Sequence, residues 1–307
     1  MDSCEIISEV IEEDLKRLDQ NLHKLLSENL NDLTANLSLY LFSKSKRIRS
    51  TLAFLFSKTL CGNVFEEQIS IASASELIHN ATLIHDDIID NAPVRRGLKT
   101  INFEFDNKLA VLAGDFLLSL ALDELFKIET PDVLKIFTST LKEVCNGEIN
   151  QYFSKNKIPT MEGYIKRSRQ KTALLFEATL CSITTTLQPE HTKKIQTFAQ
   201  NFGIAFQIKD DLENILSNDK SKPVLSDIKN GIYTAPIIFL NEEYPMITEC
   251  SEEEILDKLN QSNAIKKTRE LIKNYITGAI DSLDFLPHNH FKQCIIKICN
   301  NIINEDI

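Results

Sequence analysis

The sequence predicts an all-α fold, a single large helical bundle of about ten or more helices, in one domain over residues 1–307. Three observations carry that expectation. Apolar residues recur at three- and four-residue spacing along nearly the whole chain, glycine and proline number only 8 each among 307 residues, and no alternating stretches pair as strands. Glycine and proline build tight turns, so their scarcity disfavours the many short connections of a β-sandwich. A hydrophobic fraction of 43% with 25% charged residues supplies a sizeable core and excludes compositional disorder.

The first helix is expected from Ile6 to Leu26, where Ile6, Ile7, Val10, Ile11, Leu15, Leu18, Leu22, Leu25 and Leu26 form an amphipathic stripe. The same periodicity predicts helices over 31–42, 47–60, 66–90, 107–127, 131–153, 161–186, 190–217, 229–241, 252–277 and 288–303. Their ends coincide with turn signals such as Cys61-Gly62-Asn63, Asn91-Ala92-Pro93, Thr130-Pro131, Ile158-Pro159, Gln188-Pro189, Tyr244-Pro245 and Leu286-Pro287. No segment has the length of an interdomain linker, and no fixed period marks a solenoid.

A net charge of −10, from 34 Lys plus Arg against 44 Asp plus Glu, opposes a nucleic-acid partner. The seven cysteines are an odd number, scattered without a CxxC pair, and read as reduced thiols of a cytoplasmic protein. Glu5, Glu9, Glu12, Glu13 and Asp14 interrupt any signal-peptide core. The most apolar stretch, Leu109 to Leu122, contains Asp115 and falls short of the roughly 20 residues of a membrane span.

Two acidic clusters carry the chemistry. In Glu76-Leu-Ile-His79-Asn-Ala81-Thr82-Leu-Ile-His85-Asp86-Asp87-Ile-Ile-Asp90 the last helical turn bears three carboxylates, against the helix dipole, so a cation is expected to compensate them. Asp86 and Asp90, at i and i+4, share one face and suit Mg²⁺. In Phe206-Gln207-Ile-Lys209-Asp210-Asp211-Leu-Glu-Asn214, Asp210 and Asn214 repeat that spacing, with Gln207 one turn earlier. One Asp-Asp pair on a helix is ordinarily a solvated face, but two such clusters among apolar residues form a diphosphate clamp. Basic residues suited to phosphate stand at Lys44 to Arg49, Arg95-Arg96-Gly97, Lys171-Thr172 and Lys222.

In this order and spacing, the basic motif Lys46-Arg47-Ile48-Arg49, the first acidic motif with His79 and Arg95-Arg96-Gly97, Gly114-Asp115, Gly147-Glu148 through Gln151, Lys171-Thr172, and the Phe206-Gln207 to Asp211 motif resemble the trans-prenyltransferases of the polyprenyl diphosphate synthase type. The likeness spans roughly residues 40–240 and points to the long-chain octaprenyl and heptaprenyl members. It implies a helical bundle around a central cavity, a homodimer with the helix Leu109–Leu125 at its interface, and about three Mg²⁺ ions per active site. Asp86, Asp90 and Asp210 would hold Mg²⁺ against the allylic diphosphate, with Asp87 and Asp211 as further ligands or supports. Arg95, Lys171 and Lys222 would contact that diphosphate, and Lys46, Arg49, His79 and Arg96 would bind isopentenyl diphosphate. Thr172 and Gln207 would turn oxygens toward the carbocation. Five residues before the first aspartate, Ala81, followed by Thr82, stands where a large aromatic would shorten the product, so a long chain of about seven to ten isoprene units is expected.

Five positions depart from the family pattern: Lys44, Ser45, Ser50, Asn214 and Ile232. Asn214 keeps an oxygen that accepts from metal-bound water. Two further readings use the same residues. A catalytically weak regulatory subunit of a heteromeric synthase would make the departures real losses, and a terpene cyclase would dispense with Lys46, Arg49, His79 and Arg96.

Overall fold

The computed structural model describes residues 3–28, 33–42, 46–216, 226–245 and 247–304, and these are overwhelmingly helical. They gather into two compact units, one from residues 1–137, 179–192 and 286–295, the other from 138–178, 193–285 and 296–307.

The first unit is assembled on a buried helix. Helices α1 (Ser3–Ser27), α2 (Thr34–Phe42) and α3 (Ile48–Cys61) precede α4 (Glu66–Ile89). Between Gln68 and Ala81 nearly every α4 residue is buried, the condition of a helix surrounded by others rather than lying on a surface. Its residues there are small, aliphatic or paired: Ser73 accepts from Asn21 Nδ2 at 2.9 Å and Ser75 shares a 2.6 Å hydrogen bond with Thr179. Two minimal strands, β1 (Val94–Arg95) and β2 (Leu98–Lys99), and the short α5 (Ile101–Glu104) lead to α6 (Asn107–Phe126). Helix α6 packs along α4 and buries Ala110, Ala113, Gly114 and Ala121, small residues that let two helices approach closely. Helix α7 (Pro131–Ser154) starts in this unit and ends in the other.

The second unit contains α8 (Met161–Ser168), a π-helical turn at Arg169–Ala173, the start of α9 (Leu174–Leu187), and most of α10 (Thr192–Leu216). On α10, Phe198, Phe202 and Phe206 follow at four-residue steps and form an aromatic row, with Phe176 of α9 against Phe202 at 5.3 Å. The unit continues through α11 (Ser226–Lys229), α12 (Ala235–Glu243), α13 (Glu252–Gln261) and α14 (Ala264–Asp281). Tyr233, Ile237, Leu240, Ile247, Ile255, Leu259 and Ala264 make their common core. Helix α15 (His290–Ile303) ends the described chain.

Four local expectations are corrected. Residues 94–99 form a hairpin where no strand pair is predicted: Arg96 (φ 54°) and Gly97 (φ 83°) are both left-handed, the requirement of a two-residue primed turn. The single helix expected over 161–186 contains the π turn. The helix expected over 229–241 starts only at Ala235, because Gly231 turns at φ 70° and Pro236 suits the first helical turn. The helix expected over 252–277 divides at Ser262-Asn263, where extended Ser262 accepts the Ala264 N–H on its Oγ.

Candidate active site

In the first unit the carboxylates at the end of α4 divide by exposure. Asp87 is buried at 1% relative exposure, Asp86 is partly exposed, and Asp90, the residue capping the helix, is exposed. The i, i+4 pair therefore lies on the open side of the turn and the middle carboxylate lies inside. Asp87 accepts from the Tyr40 hydroxyl on Oδ2 and from Arg95 Nε at 2.7 Å on Oδ1. Arg95 is the compensating cation anticipated for this turn. Burial raises the Asp87 carboxyl above its usual range, and the Tyr40 and Arg95 hydrogen bonds pull it back. Burial and Asp87 raise the Tyr40 phenol, which stays a protonated donor.

The predicted basic residues of this unit also gather. Burial, then Arg49, Arg96, Arg95 and Arg47 in turn, hold the His79 imidazole well below its ordinary value, so the ring is neutral. Arg49 is buried, which lowers its pKa to about 10 against the support of Glu76. Glu76, itself 2% exposed, accepts from Arg47 at 2.9 Å and from Ser50 Oγ at 2.7 Å, so the departure at Ser50 supplies a hydrogen bond. Lys46 is exposed. Gly114 of α6 lies against His85: a Cβ there would run into the imidazole, whose Nε2 is 3.6 Å from Asp115. Ala81 is wholly buried in α4, and Thr82 donates to the His79 carbonyl at 2.8 Å.

The second unit repeats the division. Asp210 and Asn214 are exposed, while Asp211 is 7% exposed and accepts from Tyr164 at 2.6 Å and from Gln207 Nε2 at 2.8 Å. Burial pushes the Asp211 carboxyl up to about 7. With its amide nitrogen bound to Asp211, Gln207 presents Oε1 to Thr172, whose hydroxyl donates to it. Lys171 and Thr172 sit in the π turn, a helical irregularity that frequently marks functional sites. Gly147 meets Gln170 and Gly203 meets Ala173 across distances that leave no room for a methyl group. Lys222 lies outside the described residues, as does Lys44-Ser45.

Sequence reasoning missed Tyr40, Tyr164 and Glu76, which hold the predicted residues from behind. The two tyrosines carry no local signal, since each stands 47 residues before the aspartate it binds, on another helix.

The donors fit Mg²⁺ by type, being hard oxygens with access to solvent. Among the described residues no three or more His, Cys, Asp or Glu side chains close on one point. Mg²⁺ does not require such a cage, because it keeps waters and is completed by substrate phosphates.

Residues 31–274 match the family model described as polyprenyl synthetase. The chain is 33% identical to a prenyl transferase of Cyanidium caldarium, covering 96% of each, and 31% identical to the decaprenyl-diphosphate synthase of Dictyostelium discoideum, covering 97% of this chain and 72% of that one. The heptaprenyl diphosphate synthase of Staphylococcus aureus superposes with a TM-score of 0.90 at 29% identity over 97% of this chain and 99% of that one. A match over most of the chain, through both acidic motifs and both basic groups, makes this protein a member of the polyprenyl synthetase family.

Proposed function

We propose that this chain condenses isopentenyl diphosphate with an allylic diphosphate, farnesyl or geranylgeranyl diphosphate, and repeats the step to a long-chain all-trans polyprenyl diphosphate for quinone side chains. One observation carries the reading: the first unit gathers Arg49, His79 and Arg96, and Arg95 joins that group to the carboxylates that end α4, which supports a diphosphate-binding group beside oxygen donors for a metal. The decaprenyl and heptaprenyl synthases among the similar proteins support the long product. The family match spans both units, which supports one synthase domain over the chain.

In this reading Asp86, Asp90 and Asp210 are the Mg²⁺ ligands. The ion, when bound, neutralises charge that grows on the departing diphosphate. Arg95, Lys171 and Lys222 bind the allylic diphosphate, and the fork of Arg95 reaches it from a guanidinium held at Nε by Asp87. Lys46, Arg49, Arg96 and neutral His79 bind isopentenyl diphosphate and set its double bond against the allylic carbon. When the allylic C–O bond breaks, its electron pair leaves with the diphosphate, and the Thr172 and Gln207 oxygens face the carbocation. The double bond then attacks that carbon, and the departed diphosphate takes the proton released. Ala81 and Thr82 leave room for the growing chain.

The assembly is a homodimer that touches membranes only peripherally, supported by the apolar residues α6 exposes. The seven scattered cysteines, without a CxxC pair, support a cytoplasmic site. Among the described residues no helix is long and apolar enough to cross a membrane.

The test is incubation with Mg²⁺, farnesyl diphosphate and labelled isopentenyl diphosphate, followed by chromatography of the dephosphorylated products. A ladder ending at a long chain is expected, and Ala81→Phe shortens it by several isoprene units. Absence of incorporation from folded protein with every starter overturns the reading.

A further inference from the structure

The two acidic motifs are supported by the same device, built separately in each unit. In the first, Tyr40 of α2 donates to Oδ2 of Asp87 and Arg95 donates to Oδ1. In the second, Tyr164 of α8 donates to Oδ2 of Asp211 and Gln207 donates to Oδ1. Each aspartate is the second of its Asp-Asp pair, each tyrosine precedes its partner by 47 residues, and all four side chains are buried. We propose that Tyr40 and Tyr164 are matched positioning residues, whose hydroxyls hold Asp87 and Asp211 as struts so that the neighbouring exposed oxygen donors meet the metal in fixed geometry. This rests on the synthase reading given above.

The physical case has three parts. A hydrated Mg²⁺ needs room for its waters, and Asp87 at 1% and Asp211 at 7% exposure, each bonded at both oxygens from the protein side, leave little. The other members of the same turns, partly exposed Asp86 with exposed Asp90, and exposed Asp210 with Asn214, keep the i, i+4 spacing and access to solvent. The buried carboxylate is thus the point at which each turn is attached to the protein, and the tyrosine is its attachment from another helix.

The second donor in each clasp is itself a residue assigned to the substrate. Asp87 fixes Arg95 through Nε rather than through the terminal fork. Asp211 fixes the Gln207 amide so that its oxygen turns to Thr172. One buried carboxylate in each unit therefore aligns a metal-binding turn and a substrate-binding side chain together. Loss of a tyrosine hydroxyl leaves the strut with one donor fewer and loosens both, and small misplacements of such groups are costly in binding and rate.

The experiment uses the full chain and the variants Tyr40→Phe and Tyr164→Phe, with Tyr275→Phe on α14, a tyrosine that belongs to neither motif, as a control. Binding of the unreactive analogue farnesyl thiolodiphosphate is followed by calorimetry as Mg²⁺ is raised, and thermal melting is recorded without Mg²⁺. Both clasp variants are expected to melt cooperatively near the wild type yet to need about tenfold more Mg²⁺ for half-maximal binding, with the control unchanged. An unchanged Mg²⁺ requirement in both clasp variants overturns the proposal. Loss of the cooperative melt in either overturns it too, since that tyrosine would then be a structural support of the whole unit. If the wild type itself binds no analogue at any Mg²⁺ concentration, the synthase reading fails first and the clasp loses its purpose with it.

Discussion

Glu76 and His79 stand one turn apart on α4 and meet the same arginines in opposite ways. Glu76 accepts hydrogen bonds from Arg47 and Ser50, whereas His79, largely buried and surrounded by guanidinium groups, is held neutral. The sign of the consequence follows. A histidine whose folded-state pKa lies below its unfolded one contributes stability that is present above the unfolded value, near 6.5, and is lost as pH falls through the folded value. The slope is at most about 1.4 kcal/mol per pH unit, and less here because the ring keeps some solvent exposure. Urea midpoints measured at pH 7.5 and about pH 5.5 should therefore diverge in the wild type and converge in His79→Gln, after the common acid loss is subtracted. The i, i+4 spacings of Asp86 with Asp90 and of Asp210 with Asn214, and the types of their basic companions, were legible in the sequence, because each is local. Which carboxylate of each pair would be buried was not, since Tyr40 and Tyr164 come from other helices.

At the scale of an element, the turn carrying Lys171 and Thr172 owes its position to backbone contacts. The π segment Arg169–Ala173 offers Gln170 to Gly147 on α7 and Ala173 to Gly203 on α10, and Gly203 stands one turn before Gln207. A methyl group on Gly203 would lie 2.5 Å from the Ala173 Cα, so backbone must yield rather than a flexible side-chain end. Gly203→Ala should destabilise the protein by about 1–3 kcal/mol in urea unfolding and, by moving Thr172 from Gln207, lower turnover more than it changes substrate affinity. The long helices were legible from their periodicity, with ends close to their turn signals. The hairpin at Val94–Lys99 was not, because its strands are two residues each and its signal is the Arg96-Gly97 turn. The division at Ser262-Asn263 was equally hidden, since the apolar period runs on through the break.

At the scale of the whole molecule, α6 is buried along one side by α4 and carries Val111, Leu112, Leu122 and Phe126 exposed on the rest, Phe126 at 80%. A helix apolar on both sides calls for cover on the second, and the proposed homodimer supplies it. Phe126→Glu should shift the sedimenting species from dimer to monomer while leaving the helical circular dichroism unchanged; a monomeric wild type would refute the assembly.

The sequence by itself determined the helical class, the run of helices, the two acidic motifs and the basic residues that accompany them. Each of these is written within one or two turns of chain, where periodicity and spacing decide what shares a face. Only the tertiary structure decided that Asp87 and Asp211 face inward to tyrosines, that His79 is neutral among arginines, and that the Thr172 hydroxyl meets Gln207. Burial and partnership of a polar group depend on residues tens of positions away, and those meet only when the helices pack.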